Sequence, residues 1–526
     1  MNTQEASVDE LVAALTPALG THGIVLDLEE RRAVSADVYS RGATCAALVK
    51  PGDKKSLAAA IGICTRLGYA VVPRGGGLTY TGGYTPPHER SVVLDTTGLN
   101  RIVEIAEQDM YVTVEAGVTW KQLYEALSPR GLRLPCFGTF SGAGATVGSG
   151  VANGALFFGT ARYGTIADCT LGLEVVLADG TIVKTGQAAF GGKPFYRTYG
   201  PDLTGLFTHD SGALGVKAEV TLRLIRTPAH TGFASFAFEG VEAAAAALAE
   251  VSRSGVAEEA YLFDPDSTKK NLGGVDFAQG LEMLDKVVRG QSGLFKGLKA
   301  GAKLALAGRH FADDVYSLHV ACAARSAPAL EADLAACRAI AAGLGGAELP
   351  NSIPLACRAD PFPPMNAVLG TEGDRWAALN AKVAHSAAPG LIRDAEVLLE
   401  SHAAEMKAHG IWMSRLMIAM STHAFSYEPV FHWDDEWLPI HRRAPEPSFL
   451  AKLREPAANP AAREVVHRIR GEMIALFARH GAASNQIART YPYLDGMAPA
   501  TRRMLEAIKR EVDPACLMNP GSLGLG

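Results

Sequence analysis

Nowhere does the chain hold about 18 consecutive uncharged apolar residues, so no segment reads as a membrane-spanning helix. Its eight cysteines, Cys45, Cys64, Cys136, Cys169, Cys322, Cys337, Cys357 and Cys516, form no CxxC pair. Their spacing excludes a zinc ribbon and an iron–sulfur run, and reads as small buried hydrophobes kept reduced. The first ten residues carry Glu5, Asp9 and Glu10 without a basic start and apolar stretch. No secretory signal is therefore expected, and the cytoplasm is the expected location. Basic residues are neither in excess nor clustered. Fifty Lys and Arg face 55 Asp and Glu, a net charge of -5, which leaves no electrostatic footprint for nucleic acid. A helix-opening GxGxxG and a P-loop are both missing, which excludes a Rossmann dinucleotide site and a P-loop NTPase. Glycine, by contrast, is plentiful, 55 of 526 residues, and it gathers in particular loops.

A chain of this length buries more than one core. Apolar spacing predicts a short helix over 8–20 and a better one over 54–68, where Leu57, Ile61, Cys64 and Leu67 share a face. Residues 69–73 are a short buried strand leading into a glycine loop. Further strands are expected at 91–95, 111–117, 171–177 and 212–224, a helix at 118–127, and a tight Asp179-Gly180 hairpin into 181–184. Short strands cycling with helices predict an α/β or α+β domain. From about 230 the texture changes, as alanine runs (243–247, 321–324) alternate with strand-like pieces such as 232–238. Residues 265–310, rich in glycine and lysine, read as an excursion, and 361–364 as a rigid proline loop. The expected division is 1–229, 230–470, and a tail, 471–526, that returns to the first part.

The chemistry begins in the loop PRGGGLTYTGG at 73–83. Three consecutive glycines after a buried strand leave backbone N–H groups open to a charged ligand. Arg74 adds a cation, and Thr79, Tyr80 and Thr81 add hydroxyls. A diphosphate suits such a nest, while a tight structural turn is the plainer alternative. A second stretch, 142–154, offers Thr146 and Asn153 among small residues, and a third, HDSGALGV at 209–216, repeats the theme. Three such loops in order, each tied to a strand, suggest a wall around a long ligand.

Order and spacing resemble the vanillyl-alcohol oxidase/p-cresol methylhydroxylase superfamily of flavoproteins. The resemblance is carried by PRGGGLTYTGG, by ATVGSGVANGA with RYGTIADCTLGLEVVLADG, by DLTGLFTHDSGALGVKAEVTLRL at 202–224, and by IKREVDPACLMNPGSLG at 508–524. It covers the first 230 residues from about 40 onward, and the tail, leaving the middle weakly matched. It implies a two-subdomain FAD-binding domain of the p-cresol methylhydroxylase type plus an α+β substrate cap domain, with FAD as cofactor. By that resemblance Arg74, Gly75, Gly76, Gly77, Leu78 and Thr79 would hold the pyrophosphate, with Gly82 nearby. Thr146, Gly148 and Asn153 would line the flavin, Gly212 and Val216 would meet it through backbone, and Asn519 would lie close to flavin and substrate. Leu78 stands where some relatives with covalently bound flavin carry histidine, so no covalent link is expected there.

Catalytic candidates fall in the cap and tail: His385, His423, Glu428 and His432, then Gln486, Arg489, Tyr491 and Tyr493 in SNQIARTYPYL. The subgroup that oxidises D-2-hydroxy acids builds a divalent-metal site from HxGDGNxH and a later Glu-His-Gly. Here His423 and His432 remain, with Glu428 as a substitute ligand, but the later segment reads Ser484-Asn485-Gln486-Ile487. Gln and Ile are poor partners for a divalent ion, so no metal is expected. The expected reaction is hydride transfer from a C–H bearing a hydroxyl, in a 2-hydroxy acid such as D-lactate, to flavin N5. His423 or His432, ahead of His385, would take the hydroxyl proton, Arg489 would clamp the anionic group, and Tyr491 would stand beside them. Two other readings are oxidation of a para-substituted phenol or benzylic alcohol, and a flavin-carrying electron-transfer subunit. The partners expected are a small-molecule substrate, an electron acceptor (oxygen, a quinone or a carrier protein) and, at most, a second copy of the chain.

Overall fold

A helix from Lys54 to Arg66, capped by the Asp53 carboxylate on the Ser56 N–H at 2.8 Å, delivers the chain into a fully buried strand. The computed structural model describes residues 6–268 and 315–526. Four short strands, β1 (Ile24–Val25), β2 (Ala47–Val49), β3 (Ala70–Arg74) and β4 (Ser91–Asp95), pair in the order β1-β2-β4-β3, with β2 and β3 parallel to β4. Every residue of β3 is buried, as a strand covered on both faces requires, and the glycine loop leaves from its end. The tail runs beside the same strand, through Val71 N–H to the Leu517 carbonyl and Asn519 N–H to the Val71 carbonyl, both 2.8 Å.

The second sheet is antiparallel. Strands β5 (Ile102–Ala106) and β6 (Tyr111–Glu115) come first, and β7 (Leu132–Arg133) stands apart. With β8 (Thr170–Val176), β9 (Ile182–Lys184) and β10 (Val216–Arg223) the order is β5-β6-β10-β8-β9, and β11 (Ile225–Arg226) pairs with β7. The strand expected from 212 starts four residues later because Ser211 (φ 51°) and Gly212 (φ 71°) hold left-handed backbone that no strand admits.

The cap is built on one antiparallel sheet: β12 (His230–Phe238), β13 (Glu259–Phe263), β14 (Tyr316–Ala324), β15 (Ala347–Leu349), β16 (Arg375–Ala378), β17 (Ala381–Ala384), β18 (Trp412–Met420) and β19 (Ala424–Trp433). Alternation along β19 sorts its side chains. Phe425, Tyr427, Phe431 and Trp433 join a core under the helices Val241–Ser254, Ala327–Gly343, Ala388–Ser401 and Pro460–Arg479. The other face looks toward the first domain, where Tyr261 and Ile418 pack with Phe157, Ile353 and Ile487. The helix Pro460–Arg479 runs through the expected boundary at 470, and Met473, Leu476 and Phe477 remain in the cap core. The return to the first domain therefore starts beyond Arg479.

A buried charge network joins the two halves. Glu258 pairs with Arg133 and Arg358, and the Glu259 carboxylate accepts from Arg358 Nε (3.0 Å) and from the Gly159 N–H (3.2 Å). All eight cysteines are free and six are buried. Among the described residues no helix is long and apolar enough to cross a membrane. The excursion expected at 265–310 lies, beyond residue 268, outside the described residues.

Candidate flavin site and the wall above it

The glycine loop is shaped by what its neighbours forbid. A Cβ on Gly76 would lie 2.1 Å from the Gly144 carbonyl oxygen, and one on Gly75 would lie 2.4 Å from Thr146 Oγ1. The first and second glycine stretches thus touch along their backbones and border one groove. Gly82 (φ 64°) is pinned through its N–H to the buried Asp37 carboxylate at 2.8 Å. Arg74 lines this groove, and its Nη1 also donates to the Val34 (3.1 Å) and Ala36 (2.9 Å) carbonyls, bracing the segment beneath the loop.

A narrow cavity opens beside the loop, lined by Pro73, Arg74, Gly75, Tyr84, Gly148, Gly212 and Lys217 among others. Four buried polar atoms on segments that line or flank it have no protein partner among the described residues: Thr79 Oγ1, Thr81 Oγ1, Asp210 Oδ2 and Asn485 Oδ1. Buried polar atoms are normally hydrogen-bonded, so this concentration marks a place for a ligand rich in hydroxyl and phosphate oxygens. The residues fit FAD. Gly75 to Thr79 would hold its pyrophosphate through backbone and hydroxyl, while Thr146, Gly148, Asn153, Gly212 and Val216 border the rest of the groove. Leu78 carries no nucleophile and packs toward Gly144, in keeping with no covalent link there.

Four non-glycine residues with left-handed backbone meet at one end: His209 (φ 54°), Ser211 (φ 51°), Ala488 (φ 46°) and Asn519 (φ 41°). Such conformations persist only where surrounding contacts over-determine them. Here Asn519 Nδ2 donates to the carbonyls of Gly83 (2.7 Å) and Ser211 (2.6 Å), and the Ala488 N–H donates to Ser211 Oγ (3.2 Å). Arg489 completes the knot, and this corrects its expected role as a substrate clamp. Nε donates to the Pro520 carbonyl, Nη1 to those of Gly82 and Thr85, and Nη2 to Asn519 Oδ1 and Pro520. All five N–H groups are spent inside the protein. Burial also pulls this guanidinium down to about 10. Asn519, its amide fully used, is a brace between loop, third glycine stretch and tail.

The face of the cap sheet that looks toward the first domain supplies a polar wall. Tyr80, from the glycine loop, meets Trp376 of β16 edge to face at 5.4 Å, and its hydroxyl accepts from Gln486 Nε2 at 3.1 Å. The Tyr491 hydroxyl accepts from the Asn380 N–H at 2.7 Å, and burial pushes it up to about 12. Lys382 on β17 and Glu428 on β19 face this same space. Burial drags the Lys382 ammonium down to about 8 against the pull of Glu428, and burial raises the Glu428 carboxyl against the pull of Lys382.

The expected histidines are spread out by the strand. His423 is exposed in the β18–β19 turn, and His385, near it, meets the Thr422 carbonyl at 3.2 Å. His432 lies nine positions farther along, about 30 Å at strand rise, too far for His423 and His432 to share an ion. It stays on the same face as Ser426 and Glu428, stacked on Trp412 at 3.7 Å, with Ser414 and Asp374 at its two ring nitrogens (2.8 and 3.2 Å). Tyr493 is exposed. Sequence reading passed over Lys382, Trp376 and Asp37, although the alternation of Ser426, Glu428 and His432 with aromatic residues marks a polar strand face.

Residues 45–186 match the family described as FAD binding domain. Over the whole chain the fold follows p-cresol methylhydroxylase with substrate bound, at a TM-score of 0.74 and 17% identity, covering 98% of this chain and 96% of that one. The chain has the p-cresol methylhydroxylase-type fold and carries an FAD-binding domain. This FAD-binding protein is also 31% identical over 208 residues to D-lactate dehydrogenase [cytochrome] 1, mitochondrial, of Saccharomyces cerevisiae, 39% of this chain and 34% of that one. It is 31% identical over 205 residues to the glycolate oxidase subunit GlcD of Bacillus subtilis, 39% of this chain and 42% of that one. The aligned part thus spans less than half the length of these curated relatives.

Proposed function

We propose that the chain is an FAD-dependent oxidoreductase that takes a hydride from a small hydroxylated substrate, a 2-hydroxy acid of the D-lactate or glycolate kind. The observation that carries this reading is the polar wall over the groove, where the glycine loop (Tyr80), the tail (Gln486, Tyr491) and the cap sheet (Lys382, Glu428) converge. FAD, when bound, supplies the two-electron acceptor. Tyr80 and Tyr491 are held protonated by burial and stand ready to donate to an oxygen that gains negative charge. The half of the wall carried by the cap chooses the substrate, and the groove holds the cofactor through Gly75 to Thr79. The names of the matched relatives, D-lactate dehydrogenase and glycolate oxidase subunit, support the substrate class.

The two buried tyrosines also favour a second reading, a phenol held as its anion. Anaerobic protein reconstituted with FAD is mixed with D-lactate, glycolate or vanillyl alcohol while the visible flavin band is followed. Bleaching by a 2-hydroxy acid is the expected result. Bleaching by vanillyl alcohol alone transfers the assignment to phenol oxidation, and an unchanged band with all three overturns both.

A further inference from the structure

The cap sheet holds two opposite charges that no structural bond explains. Lys382 sits directly opposite Ser426 in the β17–β19 pairing, and Glu428 lies two positions on along β19, hence on the same face. Diagonal neighbours of this kind have backbones about 7–8 Å apart, within reach of two long side chains. Yet they form no ion-pair contact. Lys382 Nζ donates only to Asn380 Oδ1 (3.1 Å), which leaves N–H groups over, and the half-buried Glu428 carboxylate has no hydrogen-bond donor among the described residues. A buried ammonium with N–H groups to spare, beside a half-buried carboxylate that no described side chain engages, leaves both able to take up a polar ligand. Their surroundings are the groups of the proposed site: Glu428 acts electrostatically on both Tyr80 and Tyr491.

We propose that Lys382 and Glu428 are the substrate-handling pair, Lys382 binding the carboxylate of a 2-hydroxy acid and Glu428 accepting its hydroxyl proton. The inference rests on the oxidoreductase reading above and adds the residues that execute it. In the step, the substrate O–H bond breaks and its proton passes to the Glu428 carboxylate. The C–H bond breaks, its electron pair leaves as hydride to oxidised FAD, and the C=O bond of a 2-oxo acid forms. Tyr80, whose oxygen accepts from Gln486, retains a proton to donate to the reacting oxygen. No histidine is needed as base, which accords with the positions of His385 and His423 away from the wall.

The test separates the two roles. Oxalate, a dianion that cannot be oxidised by hydride loss, is titrated into the FAD-loaded wild type, K382M, K382R and E428Q while the flavin spectrum reports binding. Anaerobic reduction by D-lactate or glycolate is then timed in each. K382M should weaken oxalate roughly 10- to 100-fold, as expected for losing a charge-assisted bond, with partial recovery in K382R. E428Q should keep oxalate affinity and slow flavin reduction about a hundred- to ten-thousand-fold. FAD content equal to wild type in all variants excludes a folding artefact. Wild-type reduction rates in K382M and E428Q overturn the pair and leave the oxidoreductase reading intact. A wild type that no 2-hydroxy acid reduces overturns that reading, and oxalate affinity unchanged by K382M then removes the anion site as well.

Discussion

Arg489 donates from Nη2 to Asn519 Oδ1 at 2.8 Å, so the closing segment of the chain is tied to the tail by a guanidinium whose other N–H groups grip the Gly82, Thr85 and Pro520 carbonyls. A lysine cannot reproduce that five-donor fork. R489K and R489A should therefore lose stability, by at least about 3 kcal/mol for the alanine, since each bond to a charged donor contributes roughly 1.5–3 kcal/mol. Denaturant midpoints and the rate of FAD release report this. The preference for a 2-hydroxy acid over the corresponding uncharged alcohol, measured as a ratio of kcat/KM, should stay at the wild-type value. A collapse of that ratio would return Arg489 to the substrate.

Gly76→Ala tests the groove. The added methyl would meet the Gly144 carbonyl oxygen at 2.1 Å, and backbone cannot move aside as a side-chain tip can. The variant should purify without FAD or bind it far more weakly. Gly52→Ala, at an exposed position with open space around it, is the matched control and should retain full FAD content.

The groove was legible in the chain because its physics is local. Three glycines after a buried strand, Gly82 with a positive φ, and Asn519 in the closing segment need little knowledge of distant residues. The wall was legible only in part: Tyr80, Glu428, Gln486 and Tyr491 stood out as polar candidates, but the Lys382 that joins them depends on register. Lys382 and Glu428 meet only through the β17–β19 pairing, across 46 positions of chain. Arg489 illustrates the complementary difficulty: a cation near flavin-domain motifs invites a ligand, but the backbone carbonyls that occupy it come from residues 82, 85 and 520, unseen in a local window. The histidines misled for a geometric reason, since a spacing that suits a compact loop becomes an extended span once β19 forms.

That difference predicts how the histidines behave. H423A and H385A should leave kcat/KM with the preferred substrate within about twofold of wild type, as expected for surface positions. H432A should act more strongly, because its ring stacks on Trp412 beside the wall. Steady-state kinetics on the three variants decides it, and a loss beyond a hundredfold in H423A would restore the histidine base.

The network between the domains should be among the most sensitive positions in the chain. E258Q keeps the shape of the side chain but removes a buried charge that faces both Arg133 and Arg358. Breaking one partner of a buried pair costs about 3–5 kcal/mol because the other charge is stranded. Burial raises the carboxyl of neighbouring Glu259, whereas the two arginines hold Glu258 below its usual range despite its own burial, so Glu258 is the charged anchor. A fall in the thermal midpoint with unaltered FAD stoichiometry is expected.

The pH profile of kcat/KM puts the substrate pair to its strictest test. Glu428 must be ionised to accept a proton, and burial lifts its carboxyl above the ordinary range, so activity should rise with pH across a limb displaced upward from an ordinary glutamate. Lys382 must be protonated to hold a carboxylate, and burial brings it down to about 8, so activity should fall through that region. Unperturbed groups would give a plateau from about 5 to about 10. The other groups around the wall do not imitate this shape. Burial pushes Tyr80 and Tyr491 up, so both stay neutral, and burial pulls His209 down. The two limbs belong to the interacting pair, so each single variant should disturb both: E428Q should abolish the acid limb, and K382R should carry the basic limb upward while leaving an acid limb in place. A profile in E428Q that keeps the wild-type acid limb would mean another group takes the proton, and His432, on the same face of β19, would be the next to replace.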